Sequence, residues 1–129
     1  MSLFKRKVSS SYEVQPNSKV GWKQLTDLGE LNSIINESND KTVVIFKHST
    51  RCGISRMVLK QFENDFNFPE SITPYLLDLL AHRDISNAIA SRFDVVHQSP
   101  QIIVIKEGVV VYNASHESID ATALNNFIF

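Results

Sequence analysis

The 129-residue sequence predicts one α/β domain, a three-layer α/β/α sandwich in which a central mixed β-sheet is flanked by helices. Apolar runs typical of strands alternate along the chain with segments whose apolar residues recur at helical spacing. Two adjacent strand-like segments then precede a last helix. The length fits a single core, and 43% hydrophobic with 21% charged residues is typical of a globular domain.

Residues 1–18 are predicted to be a flexible N-terminal segment, and residues 19–129 the folded domain. The segment is rich in Ser and Lys, contains Pro16 and shows no sustained periodicity. The basic cluster Lys5–Lys7 resembles the start of a signal peptide, but no apolar run of about 7–15 residues follows it. A lone cysteine also cannot form an internal disulfide, so we expect a cytoplasmic protein.

The first half of the domain predicts a strand, a helix and a second strand. Val20 and Trp22 indicate a short first strand, and Thr26 is a good N-cap for the helix that follows. The apolar positions of that helix are Leu28, Leu31, Ile34 and Ile35. The continuous run Val43–Phe46 then favours a strand that is buried on both faces of a largely parallel sheet.

Two further helices and a third strand are predicted next. The helix that begins at Cys52 has a predicted buried face made of Ile54, Val58, Leu59, Phe62 and Phe66. A third strand is predicted around Tyr75–Leu77. A third helix is then indicated by the helical spacing of Ile85, Ala88, Ile89 and Phe93.

The end of the chain predicts an antiparallel hairpin and a last helix. The strands Ile102–Ile105 and Val109–Tyr112 flank the polar turn Lys106–Gly108. The last helix is predicted from Asp120 to about Phe129, and its packing positions are Leu124, Phe127 and Ile128.

Cys52, the single cysteine, is the strongest candidate for chemistry. It follows a buried strand by a short polar turn and stands where a helix begins, at the carboxyl edge where open α/β sheets place their sites. Backbone N–H groups and the helix dipole stabilise a thiolate there, and Arg51 adds a neighbouring cation. We therefore predict a reactive thiolate rather than an inert core cysteine.

The segment Ser49–Ser55 resembles the active-site motif of the thioredoxin superfamily, with Ser55 where a second cysteine would stand. The order of predicted elements also matches a thioredoxin-like domain. Without a resolving cysteine, the resemblance implies a monothiol cycle in which the N–H or hydroxyl of Ser55 could reach the sulfur of Cys52. Gly53 either permits close approach of a bulky disulfide or is simply tolerated at the helix start.

Ser99 and Pro100 form the second half of the predicted site. Pro100 stands immediately before an apolar strand, where thioredoxin-like proteins have a cis-proline opposite the cysteine. The resemblance thus implies a cis bond, although most X-Pro bonds are trans. It also implies that the backbone of Ser99 receives the substrate like an added strand.

The closer resemblance is to the bacillithiol system proteins, the monothiol bacilliredoxins, over Trp22 and residues 41–112. The matching positions are Phe46–Thr50, Cys52, Ile54, Ser55, Phe62 and His97–Gln101. That family removes bacillithiol from mixed disulfides with proteins, which implies bacillithiol as a thiol co-substrate, no permanently bound cofactor, and bacillithiolated proteins as partners. Gly53 departs from the pattern, since proline is more usual there, and the second strand has no buried Asp.

The resemblance adds supporting site residues to Cys52. Thr50, Gly53 and Ile54 belong to the matching loop, and the resemblance implies that the loops of His48 and His97 lie near Cys52, where either could tune the thiolate or contact substrate. Arg51 and Lys47 are candidates for attracting the carboxylates of bacillithiol, although solvated surface charges are the favoured interpretation of both.

Two alternatives remain open. The sequence Cys52–Ser55 is close to the Cys-Gly-Phe-Ser of monothiol glutaredoxins that share an iron–sulfur cluster, but the Gly-Gly-x-Asp turn of that family is missing after the Pro100 strand. Cys52–Arg56 also resembles the loop of glutaredoxin-linked arsenate reductases, in which the cysteine lies near the chain start.

Other function classes find no support in the sequence. A net charge of −1 gives no general attraction for nucleic acid or anionic membranes, and no apolar stretch approaches the length of a membrane span. The four histidines show no metal-ligand spacing. We expect a monomer without a metal, a nucleic-acid partner or a membrane partner.

Overall fold

The computed structural model describes residues 20–129, and in this part of the chain five strands form one mixed sheet. The strands are β1 Lys23–Gln24, β2 Thr42–His48, β3 Ile72–Asp78, β4 Gln101–Lys106 and β5 Val109–Ser115. Their order across the sheet is β1-β3-β2-β4-β5. The first three are mutually parallel, whereas β4 runs antiparallel to β2 and β5 antiparallel to β4. The predicted N-terminal segment, residues 1–18, lies outside the described residues.

Helices cover both faces of this sheet, which confirms the predicted three-layer α/β/α class. The helices are α1 Glu30–Glu37, α2 Gly53–Asp65 and α3 Arg83–Phe93, with 3₁₀ helices at His116–Ser118 and Ala121–Phe127. Buried residues of α2 and of the last 3₁₀ helix pack on one face, together with Val44 and Phe46 of β2. Buried residues of α1 and α3 pack on the other, together with Val43 and Ile45.

The strict alternation of β2 decides which side chains reach which face. Successive side chains of a strand point to opposite faces. Lys47 therefore follows Val43 and Ile45 towards α3, while His48 follows Val44 and Phe46 towards α2. All seven residues of β2 are buried, as the continuous apolar run predicts, but the burial extends to this lysine and this histidine as well.

Three chain segments meet at the end of the sheet where β2 and β3 finish. His48 lies opposite Asp78 in the parallel pairing of β2 with β3. Lys47 lies opposite Gln101, the first residue of β4, in the antiparallel pairing of β2 with β4. The loops that follow β2 and β3 and the loop that precedes β4 therefore share one edge of the sheet.

The first predicted strand and the first predicted helix begin later than expected. The β1 pairing is limited to Lys23 and Gln24, because Trp22 packs against the aromatic rings of Phe46 and Phe62 instead of extending the sheet edge. Thr26 is not an N-cap, since α1 begins at Glu30. The Glu30 carboxylate accepts N–H groups from residues 26 and 27 and folds them into a turn before the helix.

The last predicted helix is a 3₁₀ helix, not an α-helix. Asp120 begins it as predicted and accepts the N–H of Thr122 at 2.9 Å. The two adjacent asparagines at 125 and 126 are weak helix formers. The end of the segment is tied to the sheet, because the hydroxyl of Thr42 donates to the carbonyl of Phe127 at 2.6 Å.

Candidate active site

Cys52 lies where a short loop meets helix α2. The loop, residues 49–52, joins β2 to α2 and is called the thiol loop below. Cys52 is the N-cap residue and has an extended backbone, with φ −103° and ψ 122°. Its N–H donates to the carbonyl of Ser49 at 3.2 Å, and its carbonyl accepts the N–H of Arg56 at 3.0 Å. The backbone of the cysteine is thus fixed, while its side chain remains partly accessible.

The start of α2 gives the sulfur a positive electrostatic environment. Cys52 makes no side-chain capping hydrogen bond, and the first turn of α2 contains no acidic residue. The unpaired N–H groups and the positive end of the helix dipole therefore act on the sulfur without a competing carboxylate.

Ser55 holds the thiol loop from inside. Its side chain is fully buried, and its hydroxyl oxygen accepts the N–H of Ser49 at 3.0 Å. The same oxygen lies 2.8 Å from Nδ1 of His48, so the hydroxyl proton can be donated to an unprotonated Nδ1. The expected hydrogen bond from this hydroxyl to the sulfur of Cys52 is not formed, because the hydroxyl is engaged by these two partners.

His48 is a buried, neutral partner of the thiol loop. Burial is the main reason that its pKa is lowered from 6.5, the carboxylate of Asp78 opposes the lowering, and the guanidinium of Arg56 adds to it. Asp78 is itself held in place, because its carboxylate accepts the N–H of Leu80 at 3.1 Å. The imidazole thus contributes hydrogen bonding to Ser55 rather than a positive charge at neutral pH.

Arg56 is a neighbour of the thiol loop that the sequence analysis did not select as a site residue. Its guanidinium donates to the carbonyl of Thr50 at 3.2 Å, which folds the side chain back over the loop. Arg51 is exposed, as the surface interpretation predicts. Spacing could have identified Arg56, because a residue four positions after the N-cap lies one helical turn along from the cysteine.

Gly53 and Ile54 occupy the exposed side of the first turn. A Cβ at Gly53 would find Arg56 Nη2 as its nearest atom at 3.8 Å, an ordinary contact, so no close packing requires glycine there. Ile54 is 53% exposed, and its predicted place on the buried face is wrong. Ser55, Leu59 and Phe62 form the buried stripe, which leaves Ile54 on the solvent side next to the thiol.

Residues 94–100 connect α3 to β4, and the last five of them, residues 96–100, are called the Pro loop below. The Ser99–Pro100 peptide bond is cis, as the thioredoxin resemblance implies. Pro100 is buried, Ser99 is partly buried, and the carbonyl of Pro100 accepts the N–H of His116 at 3.0 Å. Because the Pro loop enters β4 beside the end of β2, it shares the sheet edge with the thiol loop.

Lys47 is buried behind the Pro loop. Only 1% of its surface is exposed, so its interpretation as a solvated surface charge is wrong. Its Nζ lies 2.6 Å from Nδ1 of His97. Burial lowers the pKa of Lys47 from 10.5 to about 8. His97 itself is exposed and also lies 3.4 Å from the hydroxyl of Ser86 in α3.

Residues 20–129 contain neither a candidate metal site nor a helix that could span a membrane. No group of three His, Cys, Asp or Glu side chains in this part of the chain could hold a metal ion. None of its helices is long and apolar enough to cross a membrane.

Comparison with known proteins agrees with this geometry. The family model described as monothiol bacilliredoxin BrxC matches residues 23–124, which include both loops. A solved structure described as an oxidoreductase with a thioredoxin fold is 31% identical, with a TM-score of 0.69 over 80% of this chain and 89% of its own.

Thioredoxins with lower sequence identity share the fold. Thioredoxin from Malassezia sympodialis is 19% identical, with a TM-score of 0.63 over 90% of this chain and 95% of its own. Mitochondrial thioredoxin 3 from Saccharomyces cerevisiae is 24% identical, with a TM-score of 0.62 over 87% and 97%. The chain therefore has a thioredoxin fold and is a thiol-disulfide oxidoreductase that belongs to the monothiol bacilliredoxin family.

Proposed function

We propose that this protein removes bacillithiol from the mixed disulfides that bacillithiol forms with other proteins. The observation behind the proposal is the placement of the single cysteine. Cys52 caps α2 at a helix start without acidic residues, and the chain has no second cysteine that could complete a dithiol cycle. Membership of the monothiol bacilliredoxin family supports bacillithiol as the thiol.

The reaction is one thiol–disulfide exchange. The Cys52 thiolate attacks the bacillithiol sulfur of the modified protein, a disulfide between Cys52 and bacillithiol forms, and the old disulfide breaks. The electron pair of the broken bond leaves with the client sulfur as a thiolate, which takes a proton from solvent. A second low-molecular-weight thiol, as its thiolate, then attacks the bacillithiol sulfur of the Cys52 mixed disulfide. A disulfide between that thiol and bacillithiol forms and leaves, the bond to Cys52 breaks, and its electron pair stays on the Cys52 sulfur as the regenerated thiolate.

Both loops have a role in binding the mixed disulfide. In this proposal the backbone of Ser99 pairs with an extended segment of the client. The exposed Ile54 beside the thiol contacts apolar client atoms. Arg51 and Arg56, which flank Cys52, attract the carboxylates of bacillithiol and stabilise negative charge on the sulfur.

The proposal extends to the setting of the reaction. The protein works in the cytoplasm, where thiols are kept reduced. It acts as a monomer without a permanently bound cofactor or metal. Its partners are bacillithiolated proteins and a low-molecular-weight thiol, not nucleic acid or membranes.

A direct test compares two mixed disulfides of one model client, one with bacillithiol and one with glutathione. We expect the wild-type protein to release the client thiol faster from the bacillithiol form, and Cys52→Ser to leave both intact. The serine hydroxyl is nearly isosteric but cannot form a disulfide. Ser91→Ala, on the exposed side of α3, is the matched control and should retain full activity.

Four results would contradict the proposal. Equal activity in Cys52→Ser would exclude the mechanism, and a preference for the glutathione form would indicate a glutaredoxin. Iron and colour in freshly purified protein would favour an iron–sulfur carrier. Arsenate reduction by the wild-type protein would favour the arsenate reductase alternative.

A further inference from the structure

The Pro loop is held by two contacts that come from one cross-strand pair. Lys47 of β2 and Gln101 of β4 lie directly opposite each other. Lys47 reaches His97 at 2.6 Å. The amide of Gln101 donates to the carbonyl of Val96 at 3.0 Å and accepts the N–H of Gln98 at 3.3 Å. Both side chains are 1% exposed, so the loop rests on buried polar groups.

The contact between Lys47 and His97 requires one donor and one acceptor. Burial and the cations of Lys47 and Arg83 lower the pKa of His97, which favours a neutral imidazole. The ammonium of Lys47 then donates to the unprotonated Nδ1 of His97. The hydroxyl of Ser86, from α3, is the other polar group at this nitrogen.

Within residues 20–129, no carboxylate forms an ion pair with Lys47. The salt bridge found in this part of the chain joins Lys23 to Glu37 at 3.9 Å and does not involve Lys47. A buried cation without a counter-ion destabilises a fold, and an apolar side chain of similar volume is generally easier to accommodate. Such a costly group at the edge of an active site indicates a role in function.

We propose that Lys47 is a positioning residue for disulfide exchange. Through His97, and together with Gln101, its buried amino group fixes the Pro loop so that Ser99 receives the client in line with Cys52. This inference rests on the proposed exchange at Cys52 and adds the group that sets the substrate-binding loop. Small displacements of positioning groups weaken reactions strongly, because the reacting atoms must be aligned.

The proposal separates binding of the client from reactivity of the thiol. Lys47 points to the α3 face, whereas Cys52 begins the helix on the other face. Removing the amino group should therefore loosen the Pro loop and leave the thiol loop intact. The Michaelis constant for a mixed disulfide should rise while the alkylation rate of Cys52 by iodoacetamide stays constant.

The experiment uses Lys47→Met, His97→Leu and the double variant, with Lys60→Met on the exposed face of α2 as the control. We expect KM for a bacillithiolated client to rise about tenfold in each single variant, as for the loss of one charge-assisted hydrogen bond. The double variant should be no worse than either single variant, because one contact is lost in all three. His97→Asn, which keeps an acceptor near Nδ1, should retain most of the affinity.

Hydrogen exchange gives a test that needs no substrate. The N–H of Gln98 should exchange faster in Lys47→Met than in the wild type, while the N–H of Ser49 in the thiol loop should not change. If the wild type did not act on bacillithiol mixed disulfides, the proposed function would be wrong. Hydrogen exchange at Gln98 would still test whether Lys47 holds the Pro loop in place. Unchanged exchange at Gln98, wild-type KM in Lys47→Met, additive losses in the double variant, or slower alkylation of Cys52 would overturn the inference.

Discussion

Lys47 and His48 are neighbours in β2, yet they serve opposite faces of the sheet in different electrostatic settings. His48 faces α2, bonds to Ser55, and lies near the Asp78 carboxylate, which opposes the lowering of its pKa by burial. Lys47 faces α3 and bonds to His97, and no carboxylate in the described part of the chain pairs with it. Two consecutive residues of β2 therefore support two loops. The neutral His48 and Ser55 hold the thiol loop, and the buried Lys47 cation holds the Pro loop. The comparison teaches that the thiol loop and the Pro loop are held by separate polar groups at this edge.

The largest expected effect is on stability and comes from Lys47→Met. The pKa of Lys47 falls from 10.5 to about 8, so the folded state holds this proton less tightly than the unfolded chain. Its destabilising contribution is fully present below about pH 8 and disappears as the pH rises to 10.5. We expect Lys47→Met to raise the free energy of unfolding at pH 7 by up to ~3 kcal/mol, less the lost hydrogen bond.

Urea unfolding at pH 7 and pH 10.5 checks this prediction. The gain should shrink at the higher pH, and Lys60→Met, which removes an exposed lysine, should change stability little at either pH. An equal gain in the free energy of unfolding at both pH values would mean that the buried charge of Lys47 is not the cause. It would then contradict the electrostatic difference between Lys47 and His48.

Ser55→Ala should produce the next largest effect, on the α2 face. The substitution leaves the N–H of Ser49 without its acceptor and Nδ1 of His48 without its partner, in a buried setting. Unsatisfied buried polar groups of this kind cost about 1–3 kcal/mol. We expect a loss of ~2 kcal/mol in urea unfolding, together with slower exchange chemistry at Cys52 as the thiol loop loosens.

Ser91→Ala is the control for this substitution, because Ser91 is an exposed serine of α3. It should be neutral or slightly stabilising, since alanine is the better helix former. A loss in Ser55→Ala no larger than that in the control would show that the hydrogen bonds of the thiol loop contribute nothing.

A smaller effect concerns acid sensitivity and sharpens the contrast between the two histidines. The pKa of buried His48 is lowered, so on acidification the unfolded chain takes up a proton at this residue before the folded state does. Stability is therefore full above about pH 6.5 and falls as the pH decreases below it. We expect His48→Asn, which keeps an acceptor towards Ser55, to lose less stability than the wild type between pH 7 and pH 5.

The matched variant on the other face is His97→Asn. The pKa of His97 is also lowered, but its side chain is exposed, so solvent weakens the effect. Thermal unfolding across this pH range should show a flatter profile in His48→Asn than in His97→Asn. The reverse order would contradict the assignment of His48 as the buried neutral partner.

The smallest expected effect comes from Gly53→Ala. The φ of Gly53 is not positive, and an added Cβ makes only an ordinary contact with Arg56. Alanine in place of glycine in a helix should stabilise the protein by ~0.5–1 kcal/mol and leave client KM unchanged. A raised KM despite higher stability would show instead that glycine provides room for the incoming disulfide.

The sequence predicts where Cys52 lies in the fold, because the spacing of apolar residues shows which segments are strands and which are helices. The continuous apolar run of β2 and the helical spacing after Cys52 place the cysteine at an N-cap, and the structure has it there. The burial of Lys47 follows in retrospect from alternation with Val43 and Ile45. Its partner His97, however, lies 50 residues away, and no local pattern links the two.

The wrong prediction for Ile54 and Ser55 also has its origin in tertiary packing. Ile54 fits a helical apolar pattern, yet the rotation of α2 on the sheet buries Ser55 in the neighbouring position. A polar residue becomes part of the core because its hydroxyl bonds to groups of the preceding loop. Pattern analysis assigns apolar side chains to the inside and therefore exchanges these two positions.

The most direct test of the account is the mass of the protein after one turnover. Wild-type protein, with Cys52 reduced, is mixed with a bacillithiolated client in the absence of any other thiol. We predict that its mass increases by one bacillithiol on Cys52 while the client returns to its free thiol form. Client release with no bacillithiol on Cys52, or an unmodified Cys52 beside an unchanged client, would contradict the monothiol exchange at this residue.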